Sequence, residues 1–309
     1  MLKRSVCGLL LVLLAGAAAL VGQEAGDDQV IRVEVERVNV IVTVTDKNGR
    51  FVTDLPQERF EIYENGERQE ITNFDNPTDL PLQMALILDT SQSVRTQLDF
   101  EKQAARQFVL SLMQRKDRAL LVEFDRGVNL VQDFTDRPSM LARAIDNLRA
   151  GGGTALFDAI YRVSLDKMSL GRGQDRKVIL LITDGMDRDS RRSRDEALEM
   201  ALRNEVSIYS VGTNRFGADQ RKKGWNTLEK LSEKTGGLAL FPYSVGKLEE
   251  SFDKINKELR SQYLLVYNPT NDAKDGKYRK IRVKLKKKGD MRLRHREGYY
   301  AETSEEGMP

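Results

Sequence analysis

The run Ala85-Leu-Ile-Leu-Asp89 carries four apolar residues straight into a carboxylate, and Lys177-Val-Ile-Leu-Leu-Ile-Thr-Asp184 repeats the design. Apolar runs without polar alternation are buried on both faces, as in strands of a parallel sheet covered by helices. Open sheets of that kind bind ligands in the crevice outside the carboxyl ends of their strands. Oxygen-bearing side chains wait at that edge: Asp89, Ser91 and Ser93 after the first run, Asp184 after the second.

From Pro81 onward, strand and helix patterns alternate. A helical period spans about 98–113, and the runs 118–125 and 128–134 form a hairpin turning at Gly127. Helices are expected over 137–149 and 156–168, the second preceded by Gly151-Gly-Gly-Thr154. After the strand ending at Asp184 come a helix over 194–205, a strand over 206–212 and a helix over 225–234. A strand over 238–243 and an amphipathic helix over 247–260 close the series. This order predicts an α/β fold with a doubly wound, mostly parallel sheet.

The two ends of the chain read differently. Val30 to Thr45 is rich in β-branched residues with partial period 2, followed by the turn Asp46-Lys-Asn-Gly49. Short strands are expected at 61–64 and 69–74, joined by Asn65-Gly66. Beyond the helical region, 262–268 and the strictly alternating 278–286 are strands, and 291–295 is expected to pair with the latter across Gly289-Asp290. Neither end is long enough to bury a core alone. The economical solution is a small all-β domain built from both chain ends, with an N-terminal β unit over 30–80 packing on a C-terminal one over 262–301. The α/β domain, 82–261, is inserted between them.

Residues 1–22 have the layout of a secretory signal peptide: Lys3 and Arg4, an apolar run from Leu9 to Leu14, then small residues from Ala15 to Ala19. The run is short against the roughly 20 residues of a membrane span, so an exported protein without a span after cleavage is expected, an uncleaved anchor being the alternative. Removing Lys3 and Arg4 reduces the formal charge from +3 to +1, so the basic balance says little about partners. It also removes Cys7, the only cysteine, which excludes disulfides, thiolate catalysis and cysteine-zinc sites from the mature chain.

Three segments thus converge on one sheet edge: Asp89, Ser91 and Ser93; Thr154 after its glycines; and Asp184. Three hydroxyls and two carboxylates are hard oxygen donors, a set suited to Mg²⁺ or another hard divalent cation. Each acid alone also has a reading as a helix cap or turn former. With these residues in this order, the sequence resembles the von Willebrand factor A domain and its metal-ion-dependent adhesion site. Asp89-Thr-Ser91-Gln-Ser93 matches the family's Asp-x-Ser-x-Ser motif, and Thr154 and Asp184 match its later threonine and aspartate. The whole layout is similar to exported bacterial relatives of that family.

The resemblance implies that Ser91, Ser93 and Thr154 ligate Mg²⁺ or Mn²⁺, with Asp89 and Asp184 acting directly or through water. It also implies that a protein partner supplies a carboxylate to the ion. A cation held mainly by neutral hydroxyls keeps much of its charge for such an anion. In related domains the last helix shifts with the state of the site, which would make the helix over 247–260 a lever on the β unit that follows. Asp187 and Asp189 are expected in a solvated acidic loop, a second cation being the alternative.

Two other functions compete. A metal-dependent hydrolase lacks support, because His295 is the only histidine, expected on a surface strand, and neither Gly-x-Ser-x-Gly nor His-Glu-x-x-His occurs. The chain is therefore read as a non-enzymatic binding module. The strand 279–288, with basic residues alternating with Ile281, Val283 and Leu285, could meet an anionic polymer. Its plainer reading is a solvated edge strand whose lysines prevent edge-to-edge pairing. Export makes nucleic acid an unexpected target.

Overall fold

The computed structural model describes residues 37–75, 80–169, 175–213 and 218–303. The expected signal peptide and the opening strand residues 30–36 lie outside these. The N-terminal strands are β1 (Val38–Thr45), β2 (Phe60–Glu64), β3 (Glu67–Gln69) and β4 (Ile71–Asp75). The α/β region opens with β5 (Leu82–Asp89), α1 (Leu98–Leu112), β6 (Arg118–Phe124) and β7 (Val128–Thr135). Helices α2 (Pro138–Asp146) and α3 (Leu156–Val163) follow, then β8 (Arg176–Thr183) and α4 (Arg194–Arg203). It closes with β9 (Val206–Gly212), α5 (Ala218–Thr235), β10 (Ala239–Leu240) and α6 (Val245–Leu259). The last strands are β11 (Tyr263–Tyr267), β12 (Tyr278–Leu285), β13 (Arg292–Arg294) and β14 (Gly298–Tyr300).

The central sheet has the order β10-β9-β8-β5-β6-β7, parallel except for the antiparallel edge strand β7. Every residue of β5 is buried, as its unbroken apolar sequence requires. Alternate residues of that strand enter two cores. Leu86 and Leu88 pack with Phe108 of α1 and Phe252 of α6. Ala85 and Ile87 pack with Ile160 of α3, Ala201 of α4 and Leu228 of α5. The expected doubly wound α/β layer is present. No helix among the described residues is long and apolar enough to cross a membrane.

The chain ends interleave. One four-stranded sheet has the order β13-β1-β11-β4, the other β14-β12-β2-β3, so each contains strands from before and after the α/β region. Val40 and Tyr263 from the first sheet share a core with Ile62, Ile281 and Val283 from the second. Neither end has apolar surface enough to fold alone; together they close a third core.

Three strand assignments differ from the sequence reading. The run 69–74 breaks at Glu70, so that β3 and β4 lie in different sheets. The segment 291–295 does not pair with β12, whose two sides are occupied by β2 and β14; its β13 residues pair with β1 instead. Internal pairing also removes the edge role expected for the basic strand. In β12 the apolar side chains are buried and Lys280, Arg282 and Lys284 are exposed, with Lys284 over the ring of Tyr63 at 4.5 Å.

Candidate metal centre

Strands β5 and β8 are neighbours, so their carboxyl ends deliver Asp89 and Asp184 side by side. Asp89 is fully buried and both its oxygens are engaged: Oδ1 accepts the Ser91 N–H at 2.9 Å and Oδ2 accepts the Thr183 hydroxyl at 2.6 Å. The Ser91 and Ser93 hydroxyls lie 2.8 Å apart, and Ser93 Oγ donates to Asp184 Oδ2 at 3.1 Å. Asp184 Oδ1 accepts the Met186 N–H at 2.9 Å. Four of the five expected residues thus form one hydrogen-bonded set.

Thr154, the fifth, stands on the adjoining loop and is fixed through its backbone. Its N–H donates to Asp189 Oδ2 at 2.7 Å, and its carbonyl accepts from Arg188 and Asp189 N–H, both at 3.0 Å. Gln92 N–H donates to the Gly152 carbonyl at 3.0 Å, drawing the glycine loop against the serine loop. Side chains are excluded from that approach: a Cβ on Gly151 would stand 2.1 Å from Asp125 Oδ2, and one on Gly153 2.1 Å from Asp189 Oδ2.

Asp189 is exposed, as expected of a solvated loop, whereas Asp187 is half-buried. Asp189 is committed to Thr154, while Asp187 Oδ1 accepts the Ser190 hydroxyl at 2.6 Å and the Phe157 N–H at 3.3 Å, near the start of α3. Helix N-termini leave N–H groups unpaired, and Asp187 satisfies one of those of α3 while Asp189 fixes the loop just before it. Asp125 has a similar duty that sequence reasoning missed. Its Oδ2 accepts the Gly152 N–H at 3.0 Å and its carbonyl accepts the Ala155 N–H at 2.6 Å. The signal was there to find, since Asp125 also closes an apolar strand.

The site is short of positive charge. Burial raises Asp89 to about 6 against the pull of its Ser91 and Thr183 hydrogen bonds, with the nearby Asp184 charge adding to the rise. Burial also raises Asp184, opposed by the Met186 N–H, Ser93 and the charge of Arg188. Glu101 of α1 is raised to about 8, first by burial and then by Asp89 and Asp184, with Thr213 working the other way. Although Thr213 is near enough to ease its ionisation, neither Glu101 oxygen has a hydrogen-bond partner of normal geometry. Hydroxyl and carboxylate oxygens, two raised acids and an orphaned third are the donor chemistry of a hard divalent cation. Among the described residues no three acidic, His or Cys side chains cluster closely enough to hold an ion alone.

His295 is half-buried and stands just past β13 rather than on a strand, and its ring has no free nitrogen. Nε2 accepts the Val283 N–H at 3.1 Å, so Nδ1 carries the proton and donates to the Arg296 carbonyl at 2.6 Å. Burial lowers its pKa.

Fold and site together define a class: an α/β module that gathers hard oxygen donors at the carboxyl edge of its sheet. Residues 83–258, more than half of the chain, match the von Willebrand factor type A domain, and the chain belongs to that family. It is 28% identical over 146 residues to an uncharacterized protein of Synechocystis sp. strain PCC 6803, covering 46% of this chain and 34% of that one. The chain therefore spans about a third of the length of this relative. Among solved structures it is similar to an aerotolerance-related membrane protein from Bacteroides fragilis, at 15% identity, 58% of this chain, 98% of that one and a TM-score of 0.48. It is also similar to proximal thread matrix protein 1 from the mussel byssus, solved with zinc in its MIDAS motif, at 16% identity, 61% of this chain, 47% of that one and a TM-score of 0.49.

Proposed function

We propose that this chain is an exported, non-enzymatic protein-binding module. In this reading Ser91, Ser93 and Thr154 hold Mg²⁺ or Mn²⁺, Asp89 and Asp184 act on it directly or through water, and a protein partner contributes a carboxylate. When bound, the ion supplies a positive centre for that incoming anion. Ser91 and Ser93 present neutral oxygens toward it, and neutral ligands leave its charge largely unspent. Asp89 is held back by two hydrogen bonds and orients the serine loop. The observation that carries the reading is the contact chain from Ser91 Oγ to Ser93 Oγ to Asp184 Oδ2, 2.8 and 3.1 Å, which places hydroxyls and a carboxylate around one point of the sheet edge. Export rests on the leader-like residues 1–22.

The test is capture of partners from the native envelope with magnesium or with chelator, comparing the wild-type protein with Asp89→Ala. Partners that need magnesium and are lost in the variant support the proposal. Partners held equally under all conditions overturn it. Binding that survives chelation but weakens steeply with salt would transfer the function to the cationic face of β12.

A further inference from the structure

Helix α1 follows the serine loop and packs Ala104, Ala105, Phe108 and Leu112 into the core against the sheet, with Leu98 buried at its start. Glu101 occupies a position of that buried face, three residues from Leu98 and from Ala104, and is 2% exposed. A carboxyl in such a place is costly unless something pairs with it. Thr213 is near enough to ease its ionisation, but neither oxygen has a hydrogen-bond partner of normal geometry. The groups acting on it electrostatically are Asp89, Asp184 and Thr213, which stand at or just past the carboxyl ends of β5, β8 and β9, three adjacent strands. Helix α1 brings Glu101 toward that edge, since its Ala104 and Ala105 share a core with Leu88, Ile182 and Val211, each within two residues of the end of one of those strands.

Packing does not explain the residue, since an aliphatic side chain would complete the buried face without the desolvation cost. Like charges do not explain it either. A divalent cation does, because one ion above the edge offsets all three carboxylates. Among the described residues no three acidic side chains come close enough to hold an ion among themselves, and a bridging water spans the greater distance.

We infer that Glu101 is a further residue of the cation site, accepting a hydrogen bond from a cation-bound water on the α1 side. The inference rests on the cation-binding reading given above and adds a positioning residue to it. Acting through water, Glu101 strengthens retention of the ion while neutralising it less than a direct carboxylate ligand would. That division of labour suits a site whose ion must still attract an anion.

The experiment is magnesium calorimetry on the purified protein, wild type, Glu101→Gln and Glu101→Leu, paired with thermal melts in chelator and in saturating magnesium. Outer carboxylates that orient metal-bound groups change metal affinity by about 10- to 100-fold, and a loss of that size is expected in both variants. In chelator both variants should melt no earlier than wild type, because a buried unpaired acid has been removed. Variant affinities within about twofold of a wild type that does bind magnesium overturn this inference alone. Affinity lost only together with earlier melting in chelator also overturns it, by showing a packing role. A wild-type protein that takes up no magnesium overturns the cation site itself, before any variant is compared.

Discussion

The Thr183 hydroxyl donates to Asp89 Oδ2 at 2.6 Å, from the last residue of one strand to the last residue of its neighbour. With Ser91 N–H on Oδ1, the carboxylate is anchored by the protein before any ion arrives. Asp89 is thereby a scaffold for the serine loop as much as a charge.

Thr183→Val tests that anchoring. Valine keeps the β-branched shape that β8 requires and removes only the hydroxyl. Loss of a hydrogen bond to a buried carboxylate should cost about 1.5–3 kcal/mol, read as a lower urea midpoint at unchanged m-value. Magnesium affinity should fall as well, since Asp89 no longer holds one rotamer. An unchanged midpoint would mean that Thr183 and Asp89 do not depend on each other.

The glycine loop offers a matched pair. At Gly153 a methyl group would stand 2.1 Å from Asp189 Oδ2, the oxygen that holds the Thr154 N–H, whereas at Gly152 nothing lies within 4 Å. Gly153→Ala must turn Asp189 away and release Thr154. It should lower magnesium affinity by roughly tenfold, the lower range for losing a supporting group, and Gly152→Ala should be near neutral. Equal behaviour of the two variants in calorimetry would argue against Thr154 as a site residue.

Sequence reading reached the parts of this architecture that depend on local pattern. Strands β5 and β8 announce themselves because double-sided burial demands continuous apolar residues, and Asp89 and Asp184 are legible as the points where those runs stop. The alternation of β12 is equally plain, yet its neighbours β2 and β14 are not, because partner choice is decided by distant residues. Strand β13 has three residues, too few to carry a pattern. Glu101 was hidden for another reason. One acid on an amphipathic helix reads as solvent-facing, and only its place in the register of Leu98 and Ala104 betrays it. The half-buried place of Asp187 was not legible because loop acids look alike in sequence, whether they face water or backbone N–H groups.

Acidity of the site gives a signed pH dependence. Glu101 is raised from 4.5 to about 8 and Asp89 from 3.8 to about 6, both first by burial. The folded protein thus keeps protons that the unfolded chain has lost. The stability they confer is complete below the unfolded values and drains away as pH climbs through the folded ones. In chelator the free energy of unfolding should therefore fall between about pH 5 and about pH 8, by on the order of 1 kcal/mol per pH unit for each such proton, and the melting temperature with it. Glu101→Gln should flatten the upper part of that fall. His295 has the opposite sign, because its lowered pKa confers stability above its ordinary value of 6.5 that is lost in acid. Comparing the variant with wild type cancels that contribution. A wild-type profile flat from about pH 6 to about pH 8 would contradict the raised value of Glu101.

Glu258 of α6 is 1% exposed and joins three elements: it accepts from Thr43 of β1 at 3.2 Å, from Tyr209 of β9 at 2.9 Å, and from the Arg294 guanidinium of β13. The last helix of the α/β layer is therefore tied by one buried carboxylate to strands from both chain ends. Glu258→Ala leaves Arg294 without its counter-charge and two hydroxyls without their acceptor. Breaking a buried pair from one side costs about 3–5 kcal/mol, and a urea midpoint lowered to match is the expected result. Removing both charges in Glu258→Ala with Arg294→Met should recover part of the loss, because no uncompensated ion remains. Were the double variant as unstable as the sum of the single ones, the two side chains would be acting independently, and α6 would be held to the β strands by apolar packing instead.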